Sequence, residues 1–315
     1  MPRFPSVLWW SAVLLLAFGT SMAGASDTAF RGGAADGERR PAVARANIRL
    51  VVGTDFAHVD RTRTSFFDSN TSTTSLLRFD ATDAQDVRAE LVGTLPVMHV
   101  LGMRARLRAA HGSLRRGQDG LDPGNDDFDT TSWGAGVELF ARDPDRGALA
   151  LGGSYDRVDE RGGFEADDFG ASAATALFFP DMGSGPVDWT LRFAYTRRRI
   201  SGAGSSFDVD LDTFEVRGAA GWYLTGDFQL ELGGRWRRSD ADVFVVEDRG
   251  GFLNLRWLLP APVSIEVFAG GAAGVSEYKQ PLFPSDDRLS YGARAGFVLR
   301  FRSAGNLIEA IRAHD

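Results

Sequence analysis

The chain has 315 residues, among them 37 glycines, 23 phenylalanines and 7 tryptophans, and it has no cysteine. The missing cysteine excludes a disulfide framework, a thiolate metal site, a cysteine nucleophile and an acylated N-terminal cysteine. Acidic residues outnumber basic ones 42 to 35, and the net charge of −7 opposes whole-surface attraction to nucleic acid. Lys279 is the only lysine, so the cations are arginines, which favour planar hydrogen-bonded pairing.

Residues 1–25 read as an export signal. Arg3 forms a short basic start, Val7 to Phe18 an apolar run, and Ala23, Gly24 and Ala25 a small-residue cleavage site before Ser26. The run is shorter than the roughly 20 residues that span a bilayer as a helix. Residues 26–45, with Arg31 to Gly33 and Gly37 to Pro41, read as a flexible leader. From Ala46 to Phe301 helical periodicity is nearly absent. Segments of about ten residues alternate apolar with polar or small side chains and are broken by Gly, Pro, Asp or Ser. They begin near Ala46, Ala84, Met98, Thr131, Gly147, Asp167, Pro186, Phe207, Phe228, Val243, Val263 and Arg288, twelve in all. Short links fall at Leu95–Val97, Asp143–Arg146, Asp181–Gly185, Thr225–Asp227 and Pro260–Pro262, and the links between them, such as Arg61–Asp83 and Leu114–Thr130, are longer. Residues 46–301 therefore predict an all-β, antiparallel, up-and-down transmembrane barrel of about 12 strands, with short turns on one rim and longer loops on the other. Residues 302–315 predict a periplasmic tail in which Asn306 to Ile311 form a short helix.

Alternation alone also fits a soluble sandwich, whose apolar face would turn inward. The aromatic residues separate the two. Phe179, Trp189, Trp222, Phe228, Trp257 and Phe301 gather toward the short-turn ends of the segments. Phe56, Trp133, Phe169, Tyr195, Phe214, Trp236 and Tyr291 gather toward the long-loop ends. Phe228 and Trp236 are roughly 20 Å apart along a tilted strand, close to the ~25 Å apolar band of a membrane barrel. Small outward residues such as Ala171, Ala173, Gly218, Ala220, Ala293 and Ala295 are tolerated against lipid but would underfill a soluble core.

The last segment carries a polar residue, a glycine two later and hydrophobic residues five and seven later: Arg294, Gly296, Leu299 and Phe301. This resembles the terminal assembly signal of the bacterial outer-membrane β-barrel superfamily, and the strand pattern extends the resemblance over 46–301. The resemblance implies a Gram-negative outer-membrane location, contact with outer-membrane lipid and lipopolysaccharide, and recognition by the outer-membrane assembly machinery. The chain departs from the family in continuing past the final aromatic, through Ser303 to Asp315.

Parity places Arg104, Arg106 and Arg108 inward on one strand, opposite to Leu101, Met103, Ala105 and Leu107. Arg49, Arg88, Arg192, Arg198, Arg217, Arg235, Arg237, Arg256, Arg294 and Arg300 also fall inward, against Asp55, Asp86, Glu90, Glu138, Glu215, Glu231 and Glu266. Hairpin register sets Glu266 near Arg256 and Glu215 near Arg237. Two readings stay open. In one, Arg104, Arg106, Arg108, Arg192, Arg217, Arg235, Arg237, Arg256 and Arg294 line a porin-like passage for small anionic solutes. In the other they are paired inside a filled, non-conducting structural or interaction barrel, because twelve strands lie between filled and open barrels.

Asp119, Asp122, Asn125, Asp126, Asp127 and Asp129 crowd one loop, and Asp208, Asp210 and Asp212 alternate along a strand end; without EF-hand spacing these read as solvated surface. His111 and Ser113 resemble the His-x-Ser pair of outer-membrane lipid A deacylases, which would make the chain a lipid-remodelling hydrolase. Leu114 follows where those enzymes carry asparagine, and no outward carboxylate is evident. The leading expectation is a non-enzymatic barrel without cofactor or metal, since no phosphate loop, dinucleotide fingerprint, zinc spacing or nucleic-acid module occurs.

Overall fold

Strands form where apolar and small or polar residues alternate, because successive side chains then face lipid and lumen in turn. The computed structural model describes residues 46–59, 64–68, 73–77, 82–116, 128–143, 147–160, 164–179, 185–202, 208–242, 244–259, 264–280 and 283–301. The expected signal, leader and tail, and the acidic loop from Asp119 to Asp127, lie outside these residues. Twelve strands close a barrel: β1 (Asn47–Val59), β4 (Thr82–Pro96), β5 (Leu101–Arg116), β6 (Phe128–Asp143), β7 (Gly147–Glu160), β8 (Phe164–Phe179), β9 (Val187–Gly202), β10 (Asp208–Thr225), β11 (Phe228–Ala241), β12 (Phe244–Leu259), β13 (Ser264–Gln280) and β14 (Phe283–Phe301). A separate hairpin, β2 (Thr64–Asp68) with β3 (Thr73–Leu77), stands in the first long connection.

Each barrel strand pairs antiparallel with its sequence neighbour, and β14 closes on β1 from Ile48–Phe301 to Val59–Ser290. The four residues of the terminal signature lie on this seam, where Arg294 faces Asp55, Gly296 faces Gly53, Leu299 faces Leu50 and Phe301 faces Ile48. Glycine is required there for a packing reason. A Cβ on Gly296 would meet the Val52 carbonyl oxygen at 2.2 Å and the inward Phe268 ring at 2.6 Å. The tip of the Phe268 ring therefore reaches the seam, and the tip of the Phe252 ring reaches Gly233 in the same way, 2.2 Å from where a Cβ would be.

The outer wall carries the expected girdles. Trp189, Trp257 and Phe301 are exposed toward the short-turn rim, and Phe56, Trp133, Phe169 and Phe214 toward the other. Tyr155, which the sequence pattern did not single out, links Trp133 and Phe169 in the second girdle, with ring centroids 5.7 and 5.3 Å away. Leu107, Leu139, Leu151, Phe193, Leu232 and Leu253 are exposed in the band between, as lipid contact requires.

Two expectations need correction. The strands are not about ten residues long: β1 has 13 and β14 has 19. Nor do long loops alternate with short turns all the way round. Beyond the first two long connections, only residues 161–163, 203–207, 243 with Asp242, and 281–282 separate the strands on that rim. One physical cause explains both. The 18 residues of β10 at a tilt near 40° rise about 45 Å, well beyond the ~25 Å apolar band. Above the girdle the outward face turns polar while the inward face carries an apolar cluster around Ile200, Leu211 and Phe244, so the apolar-outward alternation ends although hydrogen bonding continues. Charged cross-strand pairs decorate this extension: Arg157–Glu165 and Arg197–Asp210 at 2.5 Å, Arg238–Glu247 at 3.4 Å, and Lys279–Glu277 at 3.1 Å within β13. The tyrosine hydroxyls of Tyr155 and Tyr195 donate to Asp167 and Asp212 at 2.6 and 2.7 Å along its lower edge.

The band and the extension differ in what they tolerate. Leu232→Arg, in the apolar band, is expected to lower stability in lipid vesicles by about 2–4 kcal/mol. Asp210→Asn, in the extension, is expected to cost at most about 1 kcal/mol. Urea unfolding of the two variants in the same vesicles checks the contrast.

Candidate functional site

All nine arginines singled out as lumen residues lie on the inward-facing register of their strands. They are held in tiers. At the short-turn end, Arg104 donates to Glu138 at 2.9 Å, and Glu266, fully buried, accepts from Arg256 at 2.5 Å and from Arg300. Arg256 also donates to Gln229, whose amide reaches Asp188 at 3.5 Å. Higher up, Arg106 reaches the second oxygen of Glu138 at 3.5 Å and Arg108 pairs with Asp156. Arg198 grips Asp168 with two 2.6 Å bonds, Arg237 meets Asp248 at 2.7 Å, and Arg88 lies 3.1 Å from Asp55.

Hairpin register is as expected for Glu215, which is directly opposite Arg237, but Arg237 makes its ion pair across the other side, with Asp248 on β12. Glu266 is opposite Leu258, two positions from Arg256, and its reach still closes the pair. Sequence reasoning missed the inward carboxylates Asp156, Asp168 and Asp248 and the inward cations Arg142 and Arg288. The same parity count, carried to the true strand ends, finds them. It also missed inward aromatics. Phe140 packs with Ala148, Ala150 and Ala176 near the short-turn end, and Phe244 and Tyr278 pack with Val158, Ala166, Ile200, Leu211 and Val246 near the other.

Between those packed ends three inward arginines adjoin one another. Arg192 on β9 is directly opposite Arg217 on β10, and Arg217 is directly opposite Arg235 on β11. Three cations thus stand side by side on neighbouring inward positions, where like charges repel. Arg217 is partly compensated by Glu231 at 3.1 Å and by stacking on Phe252, 4.1 Å from its ring centroid. Arg192 makes no hydrogen bond or ion pair among the described residues; its electrostatic neighbours are Arg106, Glu138, Glu215 and Arg217. Two cavities adjoin the row. One of about 220 Å³ includes Arg192, Arg106, Arg108 and Arg198 in its lining, together with Glu138, Asp156 and Asp168. The other, of about 90 Å³, includes Arg217, Arg235, Arg294 and Phe252. Arg294 is oriented by Asn254, which accepts from it at 3.0 Å and donates to Glu231 at 3.3 Å.

On the outer wall, His111 and Ser113 share the outward face of β5, and His111 Nδ1 lies 3.3 Å from Thr131 Oγ1. The expectation that no carboxylate faces outward there is overturned. β6 begins at Phe128 instead of Thr131, which brings Asp129 into the wall directly opposite Ser113. β4 begins at Thr82, so Asp83 also enters the wall and lies 2.7 Å from His58, whose ring stacks on Tyr291 at 4.6 Å. Asp210 and Asp212 are engaged by Arg197 and Tyr195, and no cluster of three or more metal-ligating side chains occurs among the described residues.

No protein-family model and no curated protein sequence matches the chain. Solved structures do. The β domain of the Bordetella autotransporter BrkA matches at 10% identity with a TM-score of 0.52, over 81% of this chain and all of that one (100%). The translocator domain of the autotransporter NalP from Neisseria meningitidis matches at 11% identity and TM-score 0.49, over 92% and 96%. An outer membrane channel from Pseudomonas putida matches at 8% identity and TM-score 0.47, over 85% and 100%.

Buried carboxylates and the arginine row should respond oppositely to substitution. Glu266→Gln leaves Arg256 and Arg300 buried beside each other without a counter-charge and is expected to cost about 3–5 kcal/mol. Arg192→Gln relieves a like-charge contact and is expected to be neutral or stabilising by up to about 1 kcal/mol. Denaturant titration of the refolded variants distinguishes them. In fold, with its closed twelve-stranded antiparallel wall, two aromatic girdles and apolar outer band, the chain is a membrane-type β-barrel similar to the β domain of BrkA.

Proposed function

We propose that the barrel is a porin-like outer-membrane channel whose lumen binds and passes small anionic solutes. The observation that carries this reading is the inward row of Arg192, Arg217 and Arg235. A folded wall that only needed filling would not place guanidinium groups on three adjacent strands at matching register, because that juxtaposition costs stability. In a narrow lumen with low-dielectric walls the same row concentrates anions and repels cations. Cavities adjoining the row supply room for a solute. Arg104, Arg106, Arg108, Arg237 and Arg256, held by Glu138, Asp156, Asp248 and Glu266, keep the charged lining in place around it. Outer-membrane lipid and lipopolysaccharide are the partners that the girdles and the charged extension fit, and the seam strand is the element that the assembly machinery would read.

A second reading is favoured by the buried apolar cluster around Ile200, Leu211 and Phe244 near the long-loop rim. An apolar constriction sheds water and stops ions. In this reading the barrel does not conduct and serves envelope partners through its loops.

Single-channel recording in a planar bilayer under a salt gradient decides between them. The channel reading expects an anion-selective current whose selectivity falls when Arg192 and Arg235 are both changed to Gln. Silence from correctly folded, heat-modifiable barrels would overturn it in favour of the second.

A further inference from the structure

The two cavities beside the arginine row differ in chemistry. The larger one is lined by charges of both signs already in contact, Arg198 with Asp168 and Arg108 with Asp156, so it is a place for water and small ions. The smaller one, about 90 Å³ and open on one side, is walled by strands β12 to β14, where Gly250, Gly270, Ala272 and Gly274 present little beyond backbone. That bareness is enforced. Gly250 and Gly274 are directly opposite each other, and a Cβ on either would lie 2.7 Å from a carbonyl oxygen of the adjoining strand. The ring of Phe252, directly opposite Ala272, carries the Arg217 guanidinium over it, 4.1 Å from its centroid, and Arg235, Arg294, Glu215 and Asp248 complete the lining.

We propose that this niche is a binding site for carboxylates that carry a flat apolar body, aromatic acids being the simplest. The inference rests on the anion-binding reading of the lumen and narrows it. A carboxylate has two oxygens and can bridge two guanidinium groups, and Arg217 and Arg235 are paired neighbours across β10 and β11. The body of the molecule then lies along the glycine-walled backbone, beside the Arg217–Phe252 stack. A cavity of about 150 Å³ holds a whole benzene ring, so a niche of this size with an open side seats a ring edge-on, its far edge in the lumen. A sugar acid fits poorly. Its hydroxyls would lose water against backbone amides that are already committed to the sheet.

The probes are benzoate and gluconate, each a monocarboxylate, tested as blockers of chloride current through the full refolded barrel and by calorimetry in detergent. Benzoate is expected to bind at least about tenfold more tightly than gluconate, from burial of its apolar ring against the bare backbone. Ala272→Leu fills the niche and leaves every arginine in place, so it is expected to abolish the preference and keep anion-selective chloride current. Arg235→Gln is expected to weaken both acids together. Equal binding of the two acids by the unaltered barrel, alongside anion-selective current, overturns this inference and leaves the channel reading standing. Loss of anion selectivity in the unaltered barrel overturns both. Should Ala272→Leu not fold, the comparison of the two acids on the unaltered barrel still decides the matter.

Discussion

Every backbone N–H and C=O inside a bilayer must find its partner within the protein, since hydrocarbon offers none. Closure of β14 on β1 satisfies that requirement for twelve strands at once and removes the two edges an open sheet would expose. The rest of the molecule follows from this ladder. With the backbone satisfied, the outer face is free to be apolar, and the inner face can carry groups that no lipid-facing surface would tolerate. Gly53 and Gly296 at the seam, and Gly233 elsewhere, let the tips of the inward Phe268 and Phe252 rings reach the wall, so the lumen is stiffened without being filled at every level.

The lumen is where charge is concentrated, and its organisation is uneven along the axis. Near the short-turn rim, buried arginines and carboxylates satisfy one another, as Glu266 does for Arg256 and Arg300. Such pairs are strongly coupled, because each partner left alone would be an uncompensated charge out of water. Toward the middle the balance fails. Arg192, Arg217 and Arg235 adjoin one another at matching register, with Glu231 paired to Arg217 and Glu215 nearby. The outer extension shows the complementary case: Arg157, Arg197 and Arg238 pair with acids in open solvent, where their contribution to stability is small and their effect is on the character of the surface.

Much of this was legible in the sequence because β-structure alternates with a period of two. Once Leu101, Met103 and Leu107 are assigned to lipid, Arg104, Arg106 and Arg108 have one face left to occupy, and the structure places them there. The girdle aromatics were legible for the same reason. Legibility stopped where the alternation stopped. Above the aromatic belt the outward face is polar as well, so the apolar-outward pattern ends while pairing continues: Asp129 and Asp83 belong to the wall where the pattern predicts loop, and the strands run longer than it predicts. The inward aromatics were equally hidden, since Phe252 and Phe268 follow the parity of the lumen face while having the chemistry of the lipid face.

By itself, the sequence determined the barrel, its number of wall strands, which side of each strand faces lipid, and the surplus of arginine within. These depend on local patterning, which every strand carries in its own residues. Only the tertiary structure decided which arginines meet carboxylates and which meet one another. Parity assigns a side chain to a face but not to a neighbour. Neighbours on adjacent strands are set by register, and a shift of two residues, invisible to parity, would part Arg217 from Arg192 and Arg235. The separation of a charged cavity from an apolar-walled one depends in the same way on tilt and closure, which bring β10 and β14 around a common space.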